Sequence, residues 1–201
     1  MKNSMRGTSA VEMLVAMAII AALSTISTVA LASLMRRQAL REISIRIYTT
    51  LHVTQTEAVE AGQSRAVRFM QTDHGWAYGI YEDGNGNGVL NSDIQKGVDR
   101  LVRGPVPLCT TGGLACLGYP PAGVPDPDGT FPISPAASPL NFNHSALCSF
   151  APDGDSTPGT MYLTDGVEAW AIRSSGTAGR IYLMRYNRLN GHWEAHEPLP
   201  S

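Results

Sequence analysis

The stretch that decides the fold is "RGTSAVEMLVAMAIIAALSTISTVALASLMRR", residues Arg6 to Arg37. From Met13 to Met35 it carries no charged side chain, and about 20 apolar residues suffice to cross a hydrocarbon core as a helix. Lys2 and Arg6 precede the run and Arg36, Arg37 and Arg41 follow it, so the flanking charges give no clean orientation. A secretory signal peptide fits poorly because the run is long, and an ordinary signal anchor fits its hydropathy. Neither accounts for Glu12, a carboxylate just inside the apolar run. A carboxylate in lipid is costly and calls for a cation at the same depth. No Lys or Arg of the run supplies one, whereas an amine freed by cutting the chain at Gly7 would, if it met Glu12 of a neighbouring copy.

Outward from this segment the chain changes character. No Gly or Pro occurs from Thr8 to Ala61, which predicts an unbroken helix of roughly 80 Å at 1.5 Å per residue. In its second half Leu40, Ile43, Ile47, Leu51 and Ala58 form an apolar stripe, interrupted by the polar Thr54, and Gly62 is a natural stop. Arg41, Arg46, Glu57 and Glu60 read as the solvated face. Most of the 20 Gly and 13 Pro lie after residue 75, and the predicted elements there are short strands. Arg65–Met70 and Gly75–Asp83 read as a hairpin, "DRLVRG" as a short strand, and "LCSFAPDG", "GTMYLTDG", "EAWAIRSS" and "GRIYLMRYN" as an antiparallel series. Leu117 to Pro139 is so rich in Pro that an extended excursion is expected. With 201 residues, 43% of them apolar, and a net charge of −2, the chain has material for one modest core. That charge argues against wholesale electrostatic binding of nucleic acid.

The N-terminal residues "MKNSMRG" and "TSAVEMLVAMAII" resemble the leader and first helix of type IV pilins and pseudopilins. In that family a membrane peptidase cuts after the leader's Gly, the new amine is methylated, and Glu stands fifth in the mature chain. Cleavage between Gly7 and Thr8 makes Glu12 the fifth residue; the family usually begins with Phe, and this chain begins with Thr8. Further motifs, "WAYGIYEDGNGNG", "CSFAPDGDSTPGTMYL" and "SSGTAGRIYLMRY", resemble the GspH/FimT-type minor pseudopilins and minor type IV pilins. The resemblance covers nearly the whole chain except an insert from Cys109 to about Pro139.

The resemblance implies an α+β, pilin-like lollipop, with a long N-terminal helix on an antiparallel β-sheet head. Its parts are a leader (1–7), a transmembrane and filament-core helix (8–35), a helix continuation packed on the head (36–62) and a β-rich periplasmic head (63–201), with a Pro/Gly-rich insert near 105–139. It implies a single-pass inner-membrane subunit that lies in lipid until it joins a type IV pilus or type II secretion pseudopilus, at or near the tip, to prime assembly. The implied partners are other pilin or pseudopilin subunits, prepilin peptidase and the inner-membrane assembly platform. In the filament, Leu14, Ile19, Ile20 and Leu23 would supply packing, with Ala18, Ala21 and Ala22 allowing close approach.

Three further features stand out, two in the residues themselves and one through the resemblance. Asp83, Asn85, Asn87 and Gly88 match positions one, three, five and six of an EF-hand loop, but position twelve is Ile94 where a bidentate Glu belongs. Asp93 or Asp99 would serve a calcium ion only through a different wrap, and the simpler reading is an Asn-Gly turn without metal. Cys109 and Cys116 enclose a short loop that a disulfide would close easily; a bridge from either to Cys148 competes with it. The DNA-binding members of the resembled group carry a "G-R-x-R" element. Gly179 and Arg180 match it, Tyr182 stands where Arg is wanted, and Arg185 and Arg188 follow. Those three arginines are the candidates for DNA contact, with scattered surface Arg as the plainer reading. His144, His192 and His196 read as surface or turn residues. No zinc spacing, nucleophile elbow, phosphate loop or dinucleotide fingerprint is present, so the sequence points away from an enzyme.

Overall fold

A computed structural model describes residues 9–73, 75–129, 132–134, 136–176 and 179–196, with the side chains of 23–29, 111 and 132 left out. Gly7 and Thr8, where cleavage is expected, lie outside the described residues. The chain divides into two compact units, Met1–Arg36 and Arg37–Ser201.

In the first unit, helix α1 (Ala10–Ala61, 52 residues) begins immediately after Ser9. Ser9 is the N-cap: its Oγ accepts the Val11 N–H at 3.3 Å, and its own N–H donates to Glu12 Oε2 at 2.9 Å. This is the reciprocal arrangement of a capping box, S-x-x-E, and it satisfies two of the helix's orphan donors. From Val11 to Ile20 the large apolar side chains are 53–69% exposed. Among the described residues no helix is long and apolar enough to cross a membrane.

In the second unit the predicted stripe is the centre of the core. Leu40, Ile43, Ile47, Leu51 and Ala58 are fully buried, and so is Thr54. Thr54 fits because its hydroxyl donates to the Thr50 carbonyl at 2.8 Å, one turn back, as Ser44 does to Leu40 at 2.7 Å. The helix ends in a Schellman motif. Gly62 takes φ +61°, its N–H donates to Val59 O, and the Gln63 N–H donates to Ala58 O.

Two antiparallel sheets pack on this half-helix. The first has the order β3-β2-β1-β8, from β1 (Arg65–Thr72), β2 (Gly75–Glu82), β3 (Arg100–Pro107) and β8 (Leu147–Phe150). The second has the order β12-β11-β10-β9-β4, from β4 (Cys116–Leu117), β9 (Gly159–Thr164), β10 (Ala169–Ser174), β11 (Ile181–Asn187) and β12 (His192–Ala195). β7 (Leu140–Phe142) also pairs with β9. Val67, Phe69 and Ile80 of the first sheet and Met161, Leu163, Trp170, Ile172 and Leu183 of the second join the helix stripe in one cluster. Fully burying an aliphatic side chain of this size is worth about 1.5–3 kcal/mol, so deleting any one of the four large stripe residues would remove a sizeable share of a domain's net stability.

Several expectations are revised. The Pro-rich segment, expected as an extended excursion, folds back on itself: β5 (Val124–Pro125) and β6 (Pro132–Ile133) pair with each other. Val124, Tyr119 and Ile133 cover the far face of the second sheet against Tyr162, Ala169 and Ala171. Trp193 Nε1 donates to Pro125 O at 2.8 Å, so β12 and the insert close that face together. Tertiary cover thus gives these prolines a sheet to lie on, which composition does not reveal. β3 is longer than the short strand expected, and β7, β12 and the helix α2 (Asn91–Lys96) have no counterpart among the predicted elements. Arg46 and Glu57 leave the solvated face: Arg46 Nη2 donates to Leu108 O at 2.9 Å, and Glu57 pairs with Arg65 and Arg103. They flank the stripe, where the sheets come within reach.

Candidate functional site

The N-terminal carboxylate that prompts the functional reading is occupied within its own chain. Glu12 accepts the Ser9 N–H, so a cation arriving from elsewhere must share or displace that bond. The capping signature Ser9-x-x-Glu12 is legible in the sequence, where the question of charge in lipid overshadows it.

The Asp83 loop is built from three buried carboxylates. Asp83 accepts the N–H groups of Asn85 (3.0 Å), Gly86 (2.8 Å) and Gly88 (2.7 Å). Asp99 accepts those of Gly84 (3.0 Å) and Leu90 (2.8 Å). Asp93 accepts from the side-chain amides of Asn87 (3.0 Å) and Asn85 (3.2 Å), with Lys96 at 3.6 Å. Burial pushes the Asp83 carboxyl up, but the N–H groups of Asn85, Gly88 and Gly86 together outweigh it and hold the group below its ordinary value. The amides of Asn87 and then Asn85 hold Asp93 down likewise. Ile94, at the position where a calcium loop places its Glu, packs against Ala66, Val89 and Leu147. Among the described residues no group of three or more His, Cys, Asp or Glu side chains is placed to hold a metal ion.

The three candidate DNA arginines are divided between two clefts. Arg180 is exposed just before β11 and lines a cleft of about 360 Å³ with Tyr48, His52 and His196. Arg185 and Arg188 line a second cleft of about 420 Å³ with Arg37 and Glu168. At about 3.3 Å per residue, Arg180 and Arg188 stand roughly 25 Å apart along the strand. Arg185 is also paired with Glu168 at 3.1 Å. His196, expected on the surface, is half-buried with its ring 4.7 Å from Trp170, because β12 carries it back over the sheet. Burial, then Arg41 and Arg185, lower its pKa; burial lowers that of His52, which lies edge-on to Tyr48.

Cys109 and Cys116 are joined in a disulfide, with Cα atoms 4.4 Å apart, at the root of the insert. Cys148 is free and buried in β8, and burial pushes its thiol pKa well up.

The motif glycines turn out to be a packing device. Gln55 on α1, absent from the sequence-based candidates, reaches both Gly154 and Gly179. Nothing in the sequence signals it, because Gln55 is one polar helix residue among several.

No family model matches the chain, and no curated protein does. Two solved structures of the minor pseudopilin EpsH from the type 2 secretion system of Vibrio cholerae are similar to it. One is 14% identical, over 73% of this chain and 97% of that one, with a TM-score of 0.43. The other is 15% identical, over 83% of this chain and 99% of that one, with a TM-score of 0.36.

Proposed function

We propose that the chain is a minor pilin or pseudopilin subunit: cut between Gly7 and Thr8, held in the inner membrane by residues 13–35, and incorporated at or near a filament tip. The observation that carries this reading is the contrast within α1. Its second half is stitched into the head by a fully buried stripe, while the large apolar side chains from Val11 to Ile20 are left exposed. An apolar helical surface of that extent must be covered, by lipid or by other helices, and the uncharged run from Met13 to Met35 suits both in turn.

In this reading Glu12 exchanges the Ser9 N–H for, or shares it with, the amine of Thr8 on an adjacent subunit. In low dielectric such a pair is net favourable only with good geometry, so it serves as a register check more than as glue. The chain is a structural subunit rather than an enzyme, and its partners are other subunits, prepilin peptidase and the assembly platform. The alternative, DNA uptake through Arg180, Arg185 and Arg188, is disfavoured by their division between two clefts.

Two variants separate capping from assembly. A Gln at this position still caps, but its uncharged amide forms no ion pair with an ammonium group. Glu12→Gln and Glu12→Ala should both be cleaved to begin at Thr8, as read by intact mass, and both should be lost from filaments. Normal incorporation of Glu12→Gln would reduce Glu12 to a helix cap. A wild-type chain still beginning at Met1 in cells with active prepilin peptidase would refute the processed-subunit reading.

A further inference from the structure

The tips of two hairpins meet beside the helix residue that follows the apolar run. Arg37, two residues past Met35, pairs with Glu168 at 3.3 Å, and Glu168 also holds Arg185. Glu168 closes the β9–β10 turn, whose Val167 is 50% exposed. The neighbouring β11–β12 turn carries Arg188 and Leu189, and Leu189 is 99% exposed. This turn is not loose. Asn187 Oδ1 accepts the Leu189 N–H, and the amides of Asn187 and Asn190 both donate to Glu194 Oε1, at 2.7 and 2.9 Å.

The charges are layered. The Glu168 side chain is only 16% exposed, whereas those of Arg37 and Arg185 are 63% and 50% exposed. Asp165 is committed to its own turn, accepting the N–H groups of Val167 and Glu168. Among the described residues Arg188 makes no ion pair. The outermost groups are therefore guanidinium ions, two aliphatic tips and the Glu194 carboxylate, which the amides of Asn187 and Asn190 hold, while Glu168 and Asp165 are turned to partners within the fold.

We infer that this surface rests on the phospholipid bilayer before assembly, with Leu189 and Val167 entering the interface and Arg37, Arg185 and Arg188 contacting lipid phosphates. The inference rests on reading residues 13–35 as a membrane span, since that span ends two residues before Arg37 and so brings the cluster to headgroup depth. Aliphatic tips ringed by arginine suit an interface where apolar groups and phosphate lie within a few ångströms. Each cation near an anionic surface adds about fivefold to partitioning. Docking in this way would hold the head in one orientation toward the assembling filament.

The test uses the full chain in vesicles of 70% phosphatidylcholine and 30% phosphatidylglycerol. A cysteine at Leu189→Cys is labelled with an environment-sensitive fluorophore; the buried Cys148 and the disulfide leave it the reactive thiol. Glu60→Cys, about 35 Å along the helix from Arg37, is the control. Headgroup spin-labelled lipid should quench position 189 at least threefold more than position 60, and Arg188→Glu should lower that quenching at least twofold. Equal quenching at the two positions, or quenching unmoved by Arg188→Glu, overturns the inference. So does a response of position 189 to single-stranded DNA and not to lipid. A chain that fails to float with vesicles after a carbonate wash refutes the membrane span itself, and the inference with it. A chain that floats while position 189 stays unquenched refutes the inference alone.

Discussion

The side-chain amide of Gln55 donates to the carbonyl of Gly179 at 2.8 Å and, from the same nitrogen, to that of Gly154 at 2.9 Å. One helix residue thereby ties down two turns from distant parts of the chain, the turn after β8 and the turn before β11. Gly179 has φ +54°, and a Cβ there would lie 1.9 Å from Gly154 O and 2.1 Å from Gln55 Nε2. The left-handed backbone favours glycine, and the close approach leaves no room for any Cβ.

Gly179→Ala should therefore cost more than strain alone. Gly86, at φ +80° with nothing within 4 Å of where a Cβ would stand, is the internal reference. Gly86→Ala should cost about 1–2 kcal/mol from the left-handed backbone. Gly179→Ala should exceed it by at least about 1 kcal/mol, the scale of a core overpacking. Gln55→Ala should cost about 1–3 kcal/mol by leaving two carbonyls without their donor. Denaturant midpoints of the purified chain measure all three, and equal midpoints for the two glycine variants would refute the contact.

The chain passes from the second sheet to the first through a two-residue turn, Asn143-His144, with φ of 48° and 62°. Phe142 and Ser145 exchange both backbone bonds across it, at 3.0 and 2.9 Å. Two positive φ values make this a type I′ turn, whose second position favours Gly. His144→Gly should raise stability by about 0.5–1 kcal/mol, the relief of left-handed strain less the added freedom of the unfolded chain. A lower midpoint would show that the His144 side chain contributes something the turn geometry does not.

The cysteines should separate cleanly in alkylation followed by intact mass. The native chain should take up no reagent, because Cys148 is buried and Cys109 and Cys116 are bridged. Unfolding without reductant should add one label, at Cys148, and reductant should raise the total to all three. A native chain labelled at Cys148 would contradict the packing of β8.

Acid should destabilise the head in two stages. His52 and His196 have folded pKa values below the ordinary 6.5, so each contributes stability above that value that is lost as pH falls through the lower folded one. Asp83 and Asp93 are held below 3.8, so their contribution is present above about pH 4 and lost at still lower pH. Stability should thus begin to fall just below pH 6.5, well before the carboxylates protonate. His52→Phe keeps a ring against Tyr48 and should flatten the first stage; an unchanged slope between pH 5 and 6.5 in that variant would rule His52 out as a contributor.

What the residues by themselves determined is local and periodic. The helix without Gly or Pro, its stop at Gly62, the spacing of Leu40, Ile43, Ile47 and Leu51, and most strands follow from backbone preference and from apolar residues repeating with a helix or strand period. The spacing of Gly7, Thr8 and Glu12 is likewise a property of the chain alone, and so is the capping signature at Ser9.

Only the tertiary structure decided which distant groups meet. It buried Thr54 by letting its hydroxyl bond one turn back, drew Arg46 and Glu57 off the solvated face, and laid the Pro-rich insert over Tyr162 and Ala171. It split Arg180 from Arg185 and Arg188, and it joined Gln55 to Gly154 and Gly179. These outcomes depend on how two sheets close around one helix, and a hydrogen bond across a hundred residues leaves no periodic trace in the sequence that makes it.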